Sequence, residues 1–470
     1  MRMKISLILI LIFFYCNSAT AKTLLSSWSD LTLVGGFSVP ATLINGYNTR
    51  YATGSFDKLP GSKQWVANHG LSGYVVEYTE PSEPNMSFPT LVVGRHGHPF
   101  AGKTKITTPG VQWIDADNVI CSVRRYYSSG GFYDWVSLLN LNTGVEKLQT
   151  VGNVDTSVDW AEGSSSNKLF HLHQSFGGGF TRIPSDWATV NLSGKTVVGM
   201  AAGGYDVLNS PMGPAVGAFE VGDTLPITLM DYPIHNTSSD GKDHFEVRDK
   251  NYWFPVYSSD VENTPIHLWK WSPDYGEVQS DPQLMGPTGD NGYFTAEVVS
   301  SGAGWIDDPN YKGLVFGVLS PNGYIDYSAQ SVPGAGEMFL VYDPSTFYSE
   351  DSNTGKIKHW LHTEYADGPS GSYSNKLYVY DPDCFAQVAD GTIDEWECSP
   401  TIITPDFSNL PINPVDRDRL PTSIAGVFWD EDRSYLWLVL TQMSNGNKYP
   451  MLVAYELGTT RPAIINMKIK

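Results

Sequence analysis

Apolar residues along this chain come in short β-branched and aromatic runs separated by Gly, Pro, Asn and Asp. Almost no segment sustains the i, i+3, i+4, i+7 spacing of an amphipathic helix, so the pattern predicts strands and tight turns. One motif recurs: an apolar strand, an acidic turn, then a strongly apolar strand. It reads Val111-Gln112-Trp113-Ile114-Asp115-Ala116-Asp117 before Val119-Ile120, Gly304-Trp305-Ile306-Asp307-Asp308 before Leu314-Val315-Phe316, and Val427-Phe428-Trp429-Asp430-Glu431-Asp432 before Tyr435-Leu436-Trp437. Looser copies surround Phe56-Asp57, Trp160 and Val247-Arg248-Asp249. A second motif follows, an apolar strand ending in a polar turn, as in Tyr74-Val75-Val76-Glu77-Tyr78, Leu377-Tyr378-Val379-Tyr380-Asp381 and Met451-Leu452-Val453-Ala454-Tyr455-Glu456. Asp in such turns satisfies local backbone amides, which is reason enough for its presence there.

Units of strands that cannot bury their own faces, recurring roughly every 45–60 residues, predict stacked repeats. The fold class expected is all-β, a single β-propeller over residues 22–470 with seven blades of four antiparallel strands. A degenerate blade takes in Pro214–Phe219 and Leu225–Leu229, and the N-terminal Leu31–Phe37 supplies the outer strand of the last blade.

Composition narrows the classes. Of 470 residues, 41% are hydrophobic and 17% charged, with 45 Gly and 30 Pro, which excludes a disordered chain and a coiled coil. A formal charge of −20 repels phosphate, so nucleic acid and anionic bilayers are excluded as partners. Residues 1–21 read as a signal peptide: Arg2 and Lys4, apolar Ile5–Tyr15, then Ala19-Thr20-Ala21 ahead of cleavage at Lys22. The apolar run is too short to span a membrane, and Tyr15 is too bulky for a lipobox at Cys16. Loss of Arg2 and Lys4 leaves 28 basic against 50 acidic side chains. The chain is expected to be secreted, monomeric and without membrane insertion. An oxidising compartment allows Cys384 and Cys398 to pair, whereas Cys121 sits in a strand pattern as a small buried hydrophobe.

Phe180-Thr181-Arg182-Ile183-Pro184-Ser185-Asp186-Trp187, Gly213-Pro214-Ala215-Val216-Gly217-Ala218-Phe219-Glu220 and Gly426-Val427-Phe428-Trp429-Asp430 resemble a group of exported bacterial β-propeller proteins. These motifs imply a fold rather than an activity, and Arg182 within them reads as structural.

Chemistry is expected on one rim. Second strands would end at His69, at Arg124 and Arg125 before Tyr127, at His171 and His173, and at Tyr257. Connections between blades would add Arg95, His96, His98, His244 and Tyr293, with the acidic turns on the far rim. Arginines there would form a basic concavity able to grip a uronate carboxylate bidentately, while Tyr faces stack on sugars. β-Elimination at a uronate needs a carboxylate clamp, a base and an acid, roles suited to Arg125, to His171 or His173, and to Tyr127. Export together with a His/Tyr/Arg rim is similar to propeller-type polysaccharide lyases, which implies an extracellular polysaccharide substrate. The alternative is a non-catalytic propeller binding glycan or protein at the cell surface.

The sequence identifies no cofactor, and structural calcium or zinc stays open. Calcium at the acidic turns ranks behind turn chemistry, and the His96/His98 and His171/His173 pairs would hold zinc or copper only if both pairs converged.

Overall fold

The computed structural model describes residues 22–41, 56–69, 74–98, 106–107, 110–125, 135–149, 179–195, 197–200, 216–223, 227–230, 234–237, 243–247, 250–254, 299–321, 324–327, 338–341, 373–393, 397–410, 424–440 and 450–458. The chain begins with β1 (Thr23–Leu24) and β2 (Leu31–Ser38). Sheet I follows as β3 (Phe56–Lys58), β4 (Gln64–His69), β5 (Tyr74–Thr79) and β6 (Val92–Gly97), each paired to the next. Sheet II holds β7 (Ile106–Thr107), β8 (Val111–Trp113), β9 (Asn118–Arg125), β10 (Trp135–Asn140) and β11 (Val145–Gln149). Both β7 and β8 pair with β9, forming one interrupted inner strand.

Sheet III comprises β12 (Gly179–Arg182), β13 (Val197–Met200), β14 (Val216–Phe219) and β15 (Ile227–Met230), with helix α1 (Ser185–Asn191) between its first two strands. The degenerate blade read from Pro214–Leu229 thus supplies the outer half of this sheet. Sheet IV is β16 (Ile234–Thr237), β17 (Asp243–Val247) and β18 (Lys250–Phe254). Sheet V contains β19 (Val299–Asp307) and β20 (Tyr311–Pro321). A hairpin of β21 (Tyr324–Tyr327) and β22 (Met338–Val341) comes next in the chain. Sheet V then resumes with β23 (Tyr373–Tyr380), followed by helix α2 (Pro382–Ala389) and β24 (Thr401–Ile403). Sheet VI is β25 (Ile424–Asp430), β26 (Tyr435–Leu440) and β27 (Met451–Leu457).

The fourth strand of sheet VI is β2, antiparallel to β27 from Leu31–Leu457 to Ser38–Met451. The N-terminal strand therefore pairs where the hydrophobic pattern placed it. Gly35 makes this possible: its φ is +133°, and a β-carbon there would lie 2.3 Å from the Asn85 backbone.

Strand side chains feed cores on both faces, as expected for sheets stacked face to face. Along β26, Leu436, Leu438 and Leu440 join the core shared with sheet V, which includes Val315 and Val379. Trp437 and Val439 join the core shared with sheet I, alongside Trp65, Ala67 and Tyr78. Val66 and Val75 face sheet II instead, meeting Val119 and Leu139. Burial on both faces explains why these strands read as continuous apolar runs. Inner strands lie side by side: Trp113 of β8 donates its backbone N–H to Asp57 of β3, and Trp305 of β19 donates to the Thr181 hydroxyl of β12. A methyl on Gly304 of β19 would meet the Trp429 nitrogen of β25 at 3.0 Å. The architecture is mostly β and propeller-like. The expected count of seven blades rests partly on segments outside the described residues.

The acidic residue closing the Leu377–Asp381 motif departs from expectation. Asp381 caps α2 instead of turning a hairpin, accepting from the Asp383 N–H with Pro382 in the first helical turn. The Cys384–Cys398 disulfide, formed with an S–S distance of 2.06 Å, ties this helix to the segment leading into β24. Cys121 is buried outside the disulfide, its thiol donating to the Ser137 carbonyl at 3.6 Å.

Candidate functional site

The two ends of the inner strands differ chemically. At one end each inner strand turns into its second strand, and carboxylates from several sheets gather there. Asp57 of β3, only 4% exposed, faces Arg182 of β12. Arg182 Nη1 and Nη2 donate to the two Asp57 oxygens at 2.8 and 2.7 Å, and Nη2 also reaches the Trp113 carbonyl at 3.0 Å. One guanidinium thereby joins sheets I, II and III. Burial pushes the Asp57 carboxyl up, and Arg182 pulls against that rise. A carboxylate so far from water is tolerable only with such a partner.

Sheets I and VI meet through a second cluster. Lys58 Nζ lies 3.1 Å from Asp430 and 2.6 Å from Asp432, with Lys58 and Asp430 each 2% exposed. Arg433 donates to both oxygens of the fully buried Glu80 at 2.8 and 2.6 Å. Those hydrogen bonds from Arg433 to Glu80 raise the guanidinium pKa and keep it charged. Trp65 Nε1 completes the Glu80 shell at 2.7 Å.

Between these clusters lies a cavity of about 20 Å³ whose walls include Pro60, Thr181, Trp305, Phe428 and Glu431. That volume suits about one water and excludes a sugar ring. Glu431 stands exposed at its mouth. Desolvation raises its pKa, Arg182 opposes the rise, and Asp307, Asp432 and Asp57 add to it. Asp432 moves the other way: desolvation alone would raise it, but the Lys58 ammonium and the Gly61 N–H outweigh this and hold it below the usual range.

Asp432 thus has a folded pKa below its unfolded value. Its contribution to stability is present above the unfolded carboxylate range, about pH 4, and is lost as pH falls through the folded value. The melting temperature should therefore drop on acidification from about pH 5 to pH 3. Asp432→Asn should melt lower than wild type at pH 6 but lose less over that interval. Melting curves at stepped pH decide this, and an unchanged acid slope in the variant would refute it.

Among the described residues, the other end carries the His96 and His98 rings. Both β4 and β9 run away from the turn end, so His69 and the Arg124–Arg125 pair finish at the same end of their sheets. Residue 69 pairs with Tyr74 of β5, and Val76 pairs with His96 of β6. His98 meets Tyr74 edge-on with ring centroids 4.6 Å apart, while the His96 ring lies 6.4 Å from the same tyrosine. Tyr74, which the sequence reading did not single out, is thus the centre of this group. Its signal lay in the hairpin after His69, whose register makes residues 69 and 74 backbone partners.

Arg95 requires correction. It was expected on the imidazole rim, away from the acidic turns, yet its Nη1 donates to Asp117 at 2.9 Å and to Asn142 at 2.7 Å, and Nη2 to the Ala116 carbonyl at 2.7 Å. Its Nε binds Glu77 at 2.5 Å. Sheet twist accumulated over four strands carries the outer strand of sheet I across the turns of sheet II, so this guanidinium joins two sheets. His244 is also displaced from its expected connection, lying within β17 and paired with Asn236 and Trp253. Arg124 and Arg125 belong to β9 by backbone, opposite Thr107 and Ile106. Tyr127, His171, His173, Tyr257 and Tyr293 lie outside the described residues. Among the described residues no three His, Cys, Asp or Glu side chains group as a metal site, and no helix is long and apolar enough to cross a membrane.

No protein-family model matches the chain, and no curated protein matches it. Solved structures similar to it include the C-terminal WD40 domain of Sif2, at 10% identity and a TM-score of 0.28, covering 92% of this chain and 99% of that one. A glucose dehydrogenase structure shares 9% identity with a TM-score of 0.33, covering 90% and 98%. The soluble aldose sugar dehydrogenase of Escherichia coli shares 9% identity with a TM-score of 0.27, covering 91% and 99%. Likeness at this level bears on neither ligand nor reaction.

Proposed function

We propose that the chain is an exported seven-bladed β-propeller, closed by β2 on β27, that cleaves an extracellular uronate-containing polysaccharide by β-elimination. The working end is the one where β4 and β9 finish. Arg125 clamps the uronate carboxylate, His171 or His173 takes the C5 proton, and Tyr127 protonates the leaving oxygen. The electrons of the C5–H bond form the C4=C5 double bond as the C4–O bond breaks. His69, His96, His98 and Arg124 bind neighbouring sugars, with Tyr74 as a stacking face. Arg95 takes no part, since its donors are committed to sheet II.

The observation that carries this reading is the Tyr74–His98 pair, a phenol and an imidazole in ring contact on the end away from the carboxylates. The opposite end supports it by contrast, being filled with ion pairs around a cavity of water size. The test is incubation of the purified chain with a panel of uronate polymers while following absorbance of the unsaturated product. Activity is expected, and Arg125→Ala should lower kcat/KM by about 100-fold or more. No product from any polymer, together with no glycan binding, would refute it.

A second reading is favoured by the same tyrosine. A half-buried ring flanked by two imidazoles is sufficient to hold a sugar without any bond being broken. Retained glycan binding without product would select this non-catalytic propeller.

A further inference from the structure

The first residues after the leader motif are built into the fold. Thr23 donates its N–H to the Asn310 carbonyl at 2.8 Å, and Leu25 to the Lys312 carbonyl at 3.1 Å. Thr23 and Leu24 lie parallel to Tyr311 and Lys312 of β20. Leu25 is fully buried, and Leu24 packs on the core between sheets V and VI. The Lys22 ammonium bonds Asp307, which sits in the turn end of sheet V.

The charges facing this segment are unbalanced. Asp307 and the buried Asp308 come from the β19–β20 turn. Asp30 raises the phenol of Tyr311 on β20 from the chain's own next turn, after burial has done so first. Asp381 and Asp383 come from the start of α2, both held by Lys312. Among the described residues, five carboxylates therefore meet two cations, the Lys22 and Lys312 side chains. While the leader is attached, residue 22 enters through a neutral amide. Hydrolysis of the Ala21–Lys22 bond adds one water, leaving a carboxylate on Ala21 and an ammonium on Lys22. That new charge arises on the residue next to Thr23, whose Cα lies about 3.8 Å from that of Lys22.

We propose that the α-ammonium of Lys22, created when the leader is removed, is a structural charge that docks on the Asp307–Asp308 turn and locks β1 onto sheet V. Processing and folding are then coupled, because the mature start is a part of the assembly. The inference rests on export with cleavage at Ala21, and is independent of any action on polysaccharide.

An α-amino group gaining carboxylate partners has its folded pKa raised above the unfolded value of about 7.7–8.0. Its stabilisation is fully present below that range and is lost as pH rises through the folded pKa. The test compares a chain beginning at Lys22, released from a fusion by a protease that leaves no residue behind, with the same chain carrying Gly-Ser ahead of Lys22. Both retain the Lys22 side chain, so only the α-charge and its position differ. The free-amine form should melt about 2 °C higher at pH 6.5, with the gap closing by about pH 10. Lys22→Ala in the same pair of chains should preserve the gap. Equal melting at pH 6.5, or a gap that persists at pH 10, would overturn the clasp. The mass of the exported protein tests the processing half separately: a start at Lys22 is expected, and a start elsewhere overturns that half.

Discussion

Arg182→Met is expected to lower the free energy of unfolding by about 3–5 kcal/mol, because it strips a buried carboxylate of its partner. Asp57 would keep the Trp113 N–H at 2.7 Å and lose both guanidinium bonds. The cost should fall when the charge is removed as well. Arg182→Met combined with Asp57→Asn should be more stable than Arg182→Met alone, since the double variant buries no uncompensated ion. Urea unfolding of wild type, both single variants and the double variant measures the coupling. If Arg182→Met costs under about 1 kcal/mol, the guanidinium is no junction between sheets and the view of the turn end must be abandoned.

Trp437→Ala should cost a similar amount, about 3–5 kcal/mol. The indole is wholly buried, stacks on Phe37 of β2 with centroids 5.7 Å apart, and meets Trp65 of β4 edge-on at 5.0 Å. It therefore joins the N-terminal strand, the first sheet and the last sheet in one contact. Limited proteolysis should expose the N-terminal strand first in this variant, detected as early cleavage between residues 38 and 56. Cleavage spread evenly over the chain would show that β2 does not depend on this contact.

Much of this was legible locally. The outer strand Leu31–Phe37 and the Trp305–Asp307 and Trp429–Asp432 turns follow from alternation and turn chemistry that neighbouring residues carry, while the structural reading of Arg182 came from the motif resemblance around it. The two α-helices among the described residues escaped notice because each is short: α2 has eight residues and α1 seven. The Asp381-Pro382 pair announced α2, but it read as one more acidic strand ending. Arg95 was misplaced for a different reason. Its position along the chain was right, while its direction depended on how far a twisted outer strand leans over the adjoining sheet.

From residue order alone came a mostly β chain of stacked apolar strands, the N-terminal strand on the last sheet and an oxidised cysteine pair. These are properties of segments a few residues long, where period-two alternation and turn residues act directly on the backbone. Residue order was silent on which charges meet. Lys58 and Asp430 are 372 positions apart, and Arg182 and Asp57 are 125 apart. Residue order set the acidic turns on the end away from His96 and His98, whereas the pairing of charges within that end depends on the stacking and twist of whole sheets.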